Sequence, residues 1–594
     1  MSEQLTHRLV ALGFSRAWAV DFEFVAPAGH KPKPICMIAK CAITGEVMRL
    51  WGDELALDPF NGSTDELFIA YYASAESSCF DVLGWKRPSR MLDLFAEFRR
   101  NTNGVGTKYG NGLIGALLHY GLPTIGGEEK DSMRDLIMGG GPWSDDEKAQ
   151  ILAYCESDVD AVLRLTEAML GDLTPTPHAF GQCLLRGRDM AAAGVVENNG
   201  IPIDVGLWSD LVHHWDAIKR GLIDAVDADY HVYDEGRFSA ARFAGYLAKS
   251  GIPWPRLPSG TLALDDNTFR GQARAYPAIA PLHELRGTLG QLRLNTLSIG
   301  PDGLNRTLLS AFRARTGRNQ PSNSKFIFGP SVWIRHLIKP EAGRAIAYID
   351  WSSQEIAIAG ALSGDEALWE AYESGDPYMA FAIQAGLAPT GASKKTHPDE
   401  RNACKAVVLG VNYGMGPESI AGQSGIHIDR ARELLRLHKD TYRVFWNWAE
   451  NNVNRVLLGL PLETVFGWRI HYPPGCGADI NARSILNWPM QSHGAEMMRL
   501  GLSMAVEAGH KICAPIHDAL LLEAGLEDIE IEAKAVAEIM AEASEIVLGK
   551  GKRCRSDIKI VRYPDRFADE ARGSTMFTRV LSLLEQAKGV SYAA

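Results

Sequence analysis

Two aspartates in strand-like contexts stand 168 residues apart, with a helix-like segment carrying two cations between them. Asp350 ends the apolar run Arg344-Ala-Ile-Ala-Tyr-Ile-Asp, and Asp518 follows His517 in Ala514-Pro-Ile-His-Asp-Ala-Leu-Leu-Leu. The segment Arg401-Asn-Ala-Cys-Lys-Ala-Val-Val-Leu-Gly-Val-Asn-Tyr413-Gly414 sets Arg401, Lys405, Leu409 and Tyr413 at steps of four. At about 100° per residue each step drifts only about 40°, so the four line one helix face. That face offers two cations to phosphates and two apolar groups to a base and sugar. Two carboxylates on rigid strands opposite such a face suit metal-assisted nucleotidyl transfer. Taken singly, each feature has a plainer reading: a structural strand aspartate, or an amphipathic helix with solvated cations and a glycine C-cap.

A second acidic group lies near the N-terminus. Asp21-Phe-Glu23 puts two carboxylates on one face of a strand, an arrangement that is costly unless a cation bridges it. Asp81 follows in Ser77-Ser-Cys-Phe-Asp81, and Tyr154 and Asp158 share a helix face at i, i+4. Four carboxylates and a tyrosine can hold two divalent cations and orient an attacking water.

The elements that must position these groups follow from periodicity. Ala17–Phe24, Ile35–Ala39 and Glu66–Tyr72 read as strands, and Ser144-Asp-Asp-Glu147 is a capping box opening a helix through Leu163. Gly171-Asp-Leu-Thr-Pro-Thr-Pro-His178 reads as a linker. Beyond it the chain is largely helical to about 300, passes from strand to helix over 344–363, and is mostly helical over 366–460. A strand-rich piece, 462–472, precedes another helix and the Asp518 hairpin.

With 594 residues, 46% hydrophobic and 22% charged, the chain needs two to four cores and is ordinary for a soluble globular protein. No apolar run has the length of a membrane span, and the N-terminus lacks a secretory pattern, so a cytoplasmic protein without a membrane partner is expected. Nine scattered cysteines without a C-x-x-C pair fit a reducing compartment. The net charge of −11 argues against nucleic acid, but its distribution argues for it. From Arg286 to Arg344 ten basic residues face only Asp302 and Glu341, and this +8 stretch abuts Asp350.

Residues 15–170 resemble the DEDD-type 3′–5′ exonuclease domain in its tyrosine-containing form. The resemblance implies Asp21, Glu23, Asp81 and Asp158 as metal ligands and Tyr154 as a positioner of water. Ser77 departs from the Asn that often stands four residues before the middle aspartate. After residue 180, Asp350-Trp-Ser-Ser-Gln-Glu355, Arg401 to Gly414 and His517-Asp518 come in the order and spacing of polymerase motifs A, B and C. With Thr316-Gly-Arg318 and Arg483-Ser-Ile-Leu-Asn487-Trp-Pro-Met-Gln491, the chain looks like a family A DNA polymerase, the bacterial polymerase I type and most like its viral members.

The resemblance implies an α/β and α+β multidomain chain, a ribonuclease H-like exonuclease domain followed by a thumb-palm-fingers right hand. The expected boundaries are 1–172 exonuclease, 173–300 linker and thumb, 301–365 first palm segment, 366–480 fingers and 481–594 second palm segment. It implies template-directed addition of dNTPs to a primer 3′-OH, with proofreading. Asp350 and Asp518 would hold two Mg²⁺ ions, as would the exonuclease acids, with Mn²⁺ a possible substitute. Lys405 would give a proton to the leaving pyrophosphate and Arg401 would bind triphosphate. Glu355 would act as a steric gate at the sugar 2′ position, and Tyr413 would stack near the templating base. Arg318, Arg483, Asn487, Gln491 and His517 would touch the primer–template. Primer–template DNA and dNTPs are the implied partners, replication proteins possible further ones. A compact layout without a 5′ nuclease suggests a viral source and the host cytoplasm.

Three departures stand out. Leu409 replaces an aromatic residue, Ala519 replaces a Glu after Asp518, and Ala357 replaces an Arg just after the gate. Two alternatives stay open: a single-subunit RNA polymerase, against which Glu355 argues, and an exonuclease whose second half is only a DNA-binding module.

Overall fold

The computed structural model describes residues 3–591 except 61, 125, 126, 175, 292–295, 330, 331, 413, 473–480 and 569–572. It comprises two compact units. The first contains Met1–Gly200, Leu308–Gln320 and Ile346–Ile560; the second contains Ile201–Thr307, Pro321–Ala345 and Val561–Ala594.

In the first unit a five-stranded sheet is built from β1 (Arg16–Val25), β2 (Lys33–Cys41), β3 (Val47–Trp51), β4 (Glu66–Ala70) and β5 (Met91–Asp93). Its order is β3-β2-β1-β4-β5, antiparallel on the β3 side of β1 and parallel on the β5 side. The central strand β1 is buried on both faces, which its sequence permits because small and large apolar residues alternate. Trp18, Val20 and Phe22 join an aromatic cluster with Phe68, Phe80 and Trp85. Ala17 and Ala19 face the other way, where their small size admits a helix.

Helix α1 (Ser74–Leu83) follows β4, α2 (Gly127–Met138) comes later, and α3 (Asp145–Leu173) is the helix that the alanine face admits. Ser144 caps α3 as its sequence indicates: its side chain accepts from Glu147 N–H, and the Glu147 side chain accepts from Ser144 N–H. The linker is shorter than expected, because α3 runs to Leu173 and α4 (Pro177–Asn199) starts four residues on. Gly194 lets α4 approach α1 closely, since a Cβ there would lie 2.4 Å from Ser74 O.

The second sheet of this unit has order β7-β8-β6-β9, from β6 (Arg344–Trp351), β7 (Ile512–Ile516), β8 (Ala519–Gly525) and β9 (Ser556–Arg562). Helices α5 (Gln354–Ser363), α6 (Pro398–Asn412), α7 (Ala482–Glu507) and α8 (Ile529–Leu548) belong to the same unit. The 462–472 region is less strand-like than its composition suggests. Only Leu462–Glu463 and Arg469–Ile470 pair.

The second unit is mostly helical, including Trp215–Asp227, Ala280–Gln291 and Ser574–Ser591. Residues 561–594 therefore cluster with 201–307, and not with the remainder of the expected second palm segment. No described helix is long and apolar enough to cross a membrane.

Candidate active sites

The Asp350–Asp518 centre is assembled by backbone pairing. Two-residue turn His517-Asp518 joins antiparallel strands β7 and β8, and His517 takes a left-handed φ of +55°. A bulky residue rarely holds that conformation unless its surroundings enforce it. Trp351 N–H donates to Asp518 O at 3.2 Å, so the residue after one aspartate is bonded to the other aspartate itself. Asp350 Oδ1 is buried and has no hydrogen-bond partner among the described residues. Burial first, then the charges of Asp518 and Asp557, push the Asp350 carboxyl above its usual range. Clustered acids with an orphaned buried oxygen fit a divalent cation, whose hard oxygen-ligand chemistry they match.

The cationic face lies where the four-residue spacing puts it. On α6, Lys405 and Leu409 are exposed and Arg401 partly so, while Cys404, Val407, Val408 and Val411 are buried on the opposite side. Tyr413 lies outside the described residues. Arg401 Nε pairs with Asp376 Oδ2 at 2.5 Å. Its guanidinium and the Lys405 ammonium lie over the Tyr378 ring at 5.2 and 5.7 Å. Ser353 and Glu355 also act on the Tyr378 hydroxyl, so this ring connects the cationic face to Glu355. Sequence reasoning missed Tyr378; its one signal was Asp376-Pro-Tyr, a capped helix start with Pro at the first position.

Helix α7 presents the remaining candidates. Gln491 Nε2 donates to Glu355 Oε1, which holds this carboxylate against α7. Asn487 Oδ1 is buried without a partner among the described residues. Gly414, at φ +62°, lets the end of α6 reach Arg483, because a Cβ there would stand 2.8 Å from Arg483 Cγ. The loop bearing Arg318 is pinned by Trp468 and Trp488, whose indole N–H groups both donate to Arg315 O at 3.1 Å. Arg499 Nη1 adds a bond to Gly317 O at 2.7 Å.

The N-terminal acids come together with one substitution. Asp21 and Glu23 lie on the β1 face that also carries Ala17 and Ala19, toward α3. Their carboxylates and Cys155 Sγ lie within 4.8 Å of one another, a grouping able to hold a metal ion. Burial is the largest cause raising both carboxyls, followed by Asp158 for Asp21 and by Asp21 for Glu23. Tyr154 is raised by burial and by Asp158. Lys130 Nζ bonds Asp158 Oδ2 at 3.1 Å and sits 5.8 Å from the Tyr154 ring centre. Beside Asp158 opens a cavity of about 270 Å³ lined by Leu113, Ile114, Leu117, Pro123 and Arg164 among others.

Asp81 is not the acid of α1 that meets this group. Its Oδ2 accepts from Asn198 Nδ2 at 2.9 Å, tying it to α4. Glu76, five residues earlier, points about 140° away from Asp81 around the helix. Glu76 is 5% exposed, its Oε2 lacks a partner among the described residues, and its carboxyl is driven well up by burial and then by Asp21. Glu76, and not Asp81, is thus the acid of α1 on which the charge of Asp21 acts. The departure at Ser77 is also explained, since Ser77 Oγ donates to Ala191 O of α4 at 2.6 Å and serves helix packing.

Palm-like sheet, cation-bearing helix and paired aspartates define the chain as a polymerase-fold protein. Its structure is similar to the polymerase domain of Pol1 from M. smegmatis, solved in complex with DNA primer-template and dNTP. The TM-score is 0.69 at 17% identity, covering 94% of this chain and 97% of that one. Residues 329–555, which hold Asp350, Arg401, Lys405 and Asp518, match the model of DNA polymerase family A. The chain is 28% identical over 219 residues to the thermostable DNA polymerase I of Thermus thermophilus, 35% of this chain and 26% of that protein. Over 309 residues it is 25% identical to DNA polymerase I of Chloroflexus aurantiacus, 48% of this chain and 32% of that protein. Over 246 residues it is 26% identical to the DNA polymerase of Mycobacterium phage D29, 41% of this chain and 39% of that protein. The matched region thus spans about a quarter to two fifths of these relatives.

Proposed function

We propose that the protein is a template-directed DNA polymerase that extends a primer 3′-OH with dNTPs and edits its product with a 3′–5′ exonuclease. The observation that carries the first half is the backbone bond from Trp351 to Asp518, which seats Asp350 beside Asp518 within the region matching the family A model. Family A DNA polymerases use divalent metal ions, and Asp350 and Asp518 would hold them. When bound, such ions lower the pKa of the primer 3′-OH and stabilise charge on the α-phosphate.

The chain's own groups supply the rest. Lys405 and Arg401 bind the triphosphate, and Lys405 Nζ delivers a proton to departing pyrophosphate. Arg401 must first exchange Asp376 for phosphate, a charge-assisted swap between two oxyanions. Glu355, steadied by Gln491, crowds the 2′ position and so favours deoxynucleotides over ribonucleotides. Arg483, Asn487, Gln491, Arg318 and His517 read the terminal pair by shape, since minor-groove acceptors differ little between correct pairs.

The second half rests on Asp21, Glu23, Glu76 and Asp158. The sheet order and the helix across β1 support a ribonuclease H-like reading of this region. These four acids would hold the metal ions and Tyr154 would orient the attacking water. Lys130 Nζ pairs with Asp158 Oδ2.

Separation of the two activities tests both halves. Asp350→Asn and Asp518→Asn should abolish primer extension and leave 3′ shortening intact, and Asp21→Ala should do the converse. Extension at the unaltered rate by Asp350→Asn would refute the assignment. Equal incorporation of ribo- and deoxynucleotides would refute the role of Glu355.

A further inference from the structure

Strands β6 and β9 fix a third carboxylate at the Asp350 centre. Ser352 N–H donates to Arg555 O at 2.9 Å, and Tyr563 N–H donates to Arg344 O at 3.2 Å. Both bonds belong to one antiparallel register, in which numbers rise along β6 as they fall along β9. In that register Asp350 stands directly opposite Asp557, with both side chains on the same face. Ser352, two residues beyond Asp350, shares this face, and its Oγ donates to Asp557 Oδ2 at 2.6 Å. Asp557 is exposed.

Like charges directly opposite on neighbouring strands are destabilising. Here a third carboxylate residue, Asp518, is tied to the same centre by the Trp351 N–H bond to its backbone oxygen, and a buried Asp350 oxygen has no partner among the described residues. Meanwhile Ala519, fully buried on β8, leaves the position after Asp518 without a carboxylate. A cation held at this centre would offset the repulsion and give the orphaned oxygen a partner.

We propose that Asp557 is the third carboxylate of the polymerase centre. From β9 it would help hold the divalent ions that Asp350 and Asp518 would bind, where Ala519 on β8 offers no acid. The inference rests on the polymerase reading above. The plainer role for Asp557 is to accept the Ser352 hydroxyl, and two variants separate the roles. Asp557→Asn keeps an oxygen acceptor for Ser352 and removes the charge, whereas Ser352→Ala removes the hydrogen bond and keeps the charge.

The test uses the full chain with Asp21→Ala and Glu23→Ala, so that the N-terminal acids do not compete for metal. Mn²⁺ binding is followed by the electron paramagnetic resonance signal of the free ion, and primer extension is measured against Mg²⁺ concentration. Asp557→Asn should weaken Mn²⁺ binding by about 10-fold or more, in the range seen for loss of groups around a metal's direct ligands. It should raise the Mg²⁺ concentration for half-maximal extension by the same factor, with the rate recovering at saturating Mg²⁺. Ser352→Ala should change neither by as much as about two-fold. Unchanged Mn²⁺ affinity in Asp557→Asn, or an equal loss in Ser352→Ala, overturns the proposal. Unchanged Mn²⁺ binding and extension in Asp350→Asn overturns the underlying reading instead.

Discussion

Glu76 shows how a single side chain decides a site. It sits in the first turn of α1, while Asp81 sits in the last and is bonded to Asn198. Glu76→Gln should reduce 3′–5′ hydrolysis of single-stranded DNA beyond the about 10–100-fold that loss of an outer partner costs a metal site. Asp81→Asn, which can still accept from Asn198, should hydrolyse at nearly the parental rate; the reverse ranking would restore Asp81 to the site. Leu409 makes a second residue-scale case, because its exposed aliphatic side chain cannot stack as an aromatic ring does. Leu409→Phe should change nucleotide insertion rate or selection in single-turnover assays, and unchanged values would leave Leu409 without that role. Asp21, Glu23, Tyr154 and Asp158 were legible in the sequence because i, i+2 on a strand and i, i+4 on a helix fix a shared face. Glu76 was not, because a helix beginning at Ser74 could present either acid until its neighbours were known.

Ion pairs and buried titrating groups act between elements. Arg186 of α4 pairs with Glu97 of the Leu94–Thr102 helix at 2.5 Å and also donates to Phe466 O at 2.7 Å, with both side chains about fully buried. Glu97→Ala would strand a buried guanidinium, a change that costs about 3–5 kcal/mol. Equilibrium denaturation should record it, and a loss under about 1 kcal/mol would show the pair to be solvated. His438 is wholly buried, accepts from Trp446 Nε1 at 3.1 Å, and is lowered by burial to about 3. Between about pH 3 and 6.5 the unfolded chain therefore binds the extra proton, and stability is lost as pH falls through that window. Asp189 and Glu197, each raised by burial to about 7, act oppositely and cost stability as pH rises toward 7. Comparing His438→Gln with the parent cancels those groups. The parent's advantage should grow from pH 5 to pH 7.5, and a constant difference would contradict the buried neutral imidazole. Long elements such as α3 and α6 were legible from capping and periodicity. The β6–β9 register was not, since it joins Ser352 to Asp557 across 205 residues.

At the scale of the chain, each unit draws on separated stretches of sequence. Residues 561–594 begin within β9 yet cluster with 201–307, and no compositional break marks that change. The first unit, by contrast, holds both acidic centres on two sheets whose strands the sequence largely announced. In the proposed function these two centres perform opposite reactions on one primer end. Incubating the protein with a primer bearing a mismatched 3′ terminus, its template, Mg²⁺ and all four dNTPs tests this directly. The parent should remove the mismatch and then extend to full length, Asp350→Asn should only shorten the primer, and Glu76→Gln should stall at the mismatch. Full-length product from Asp350→Asn, or mismatch removal by Glu76→Gln at the parental rate, would contradict it.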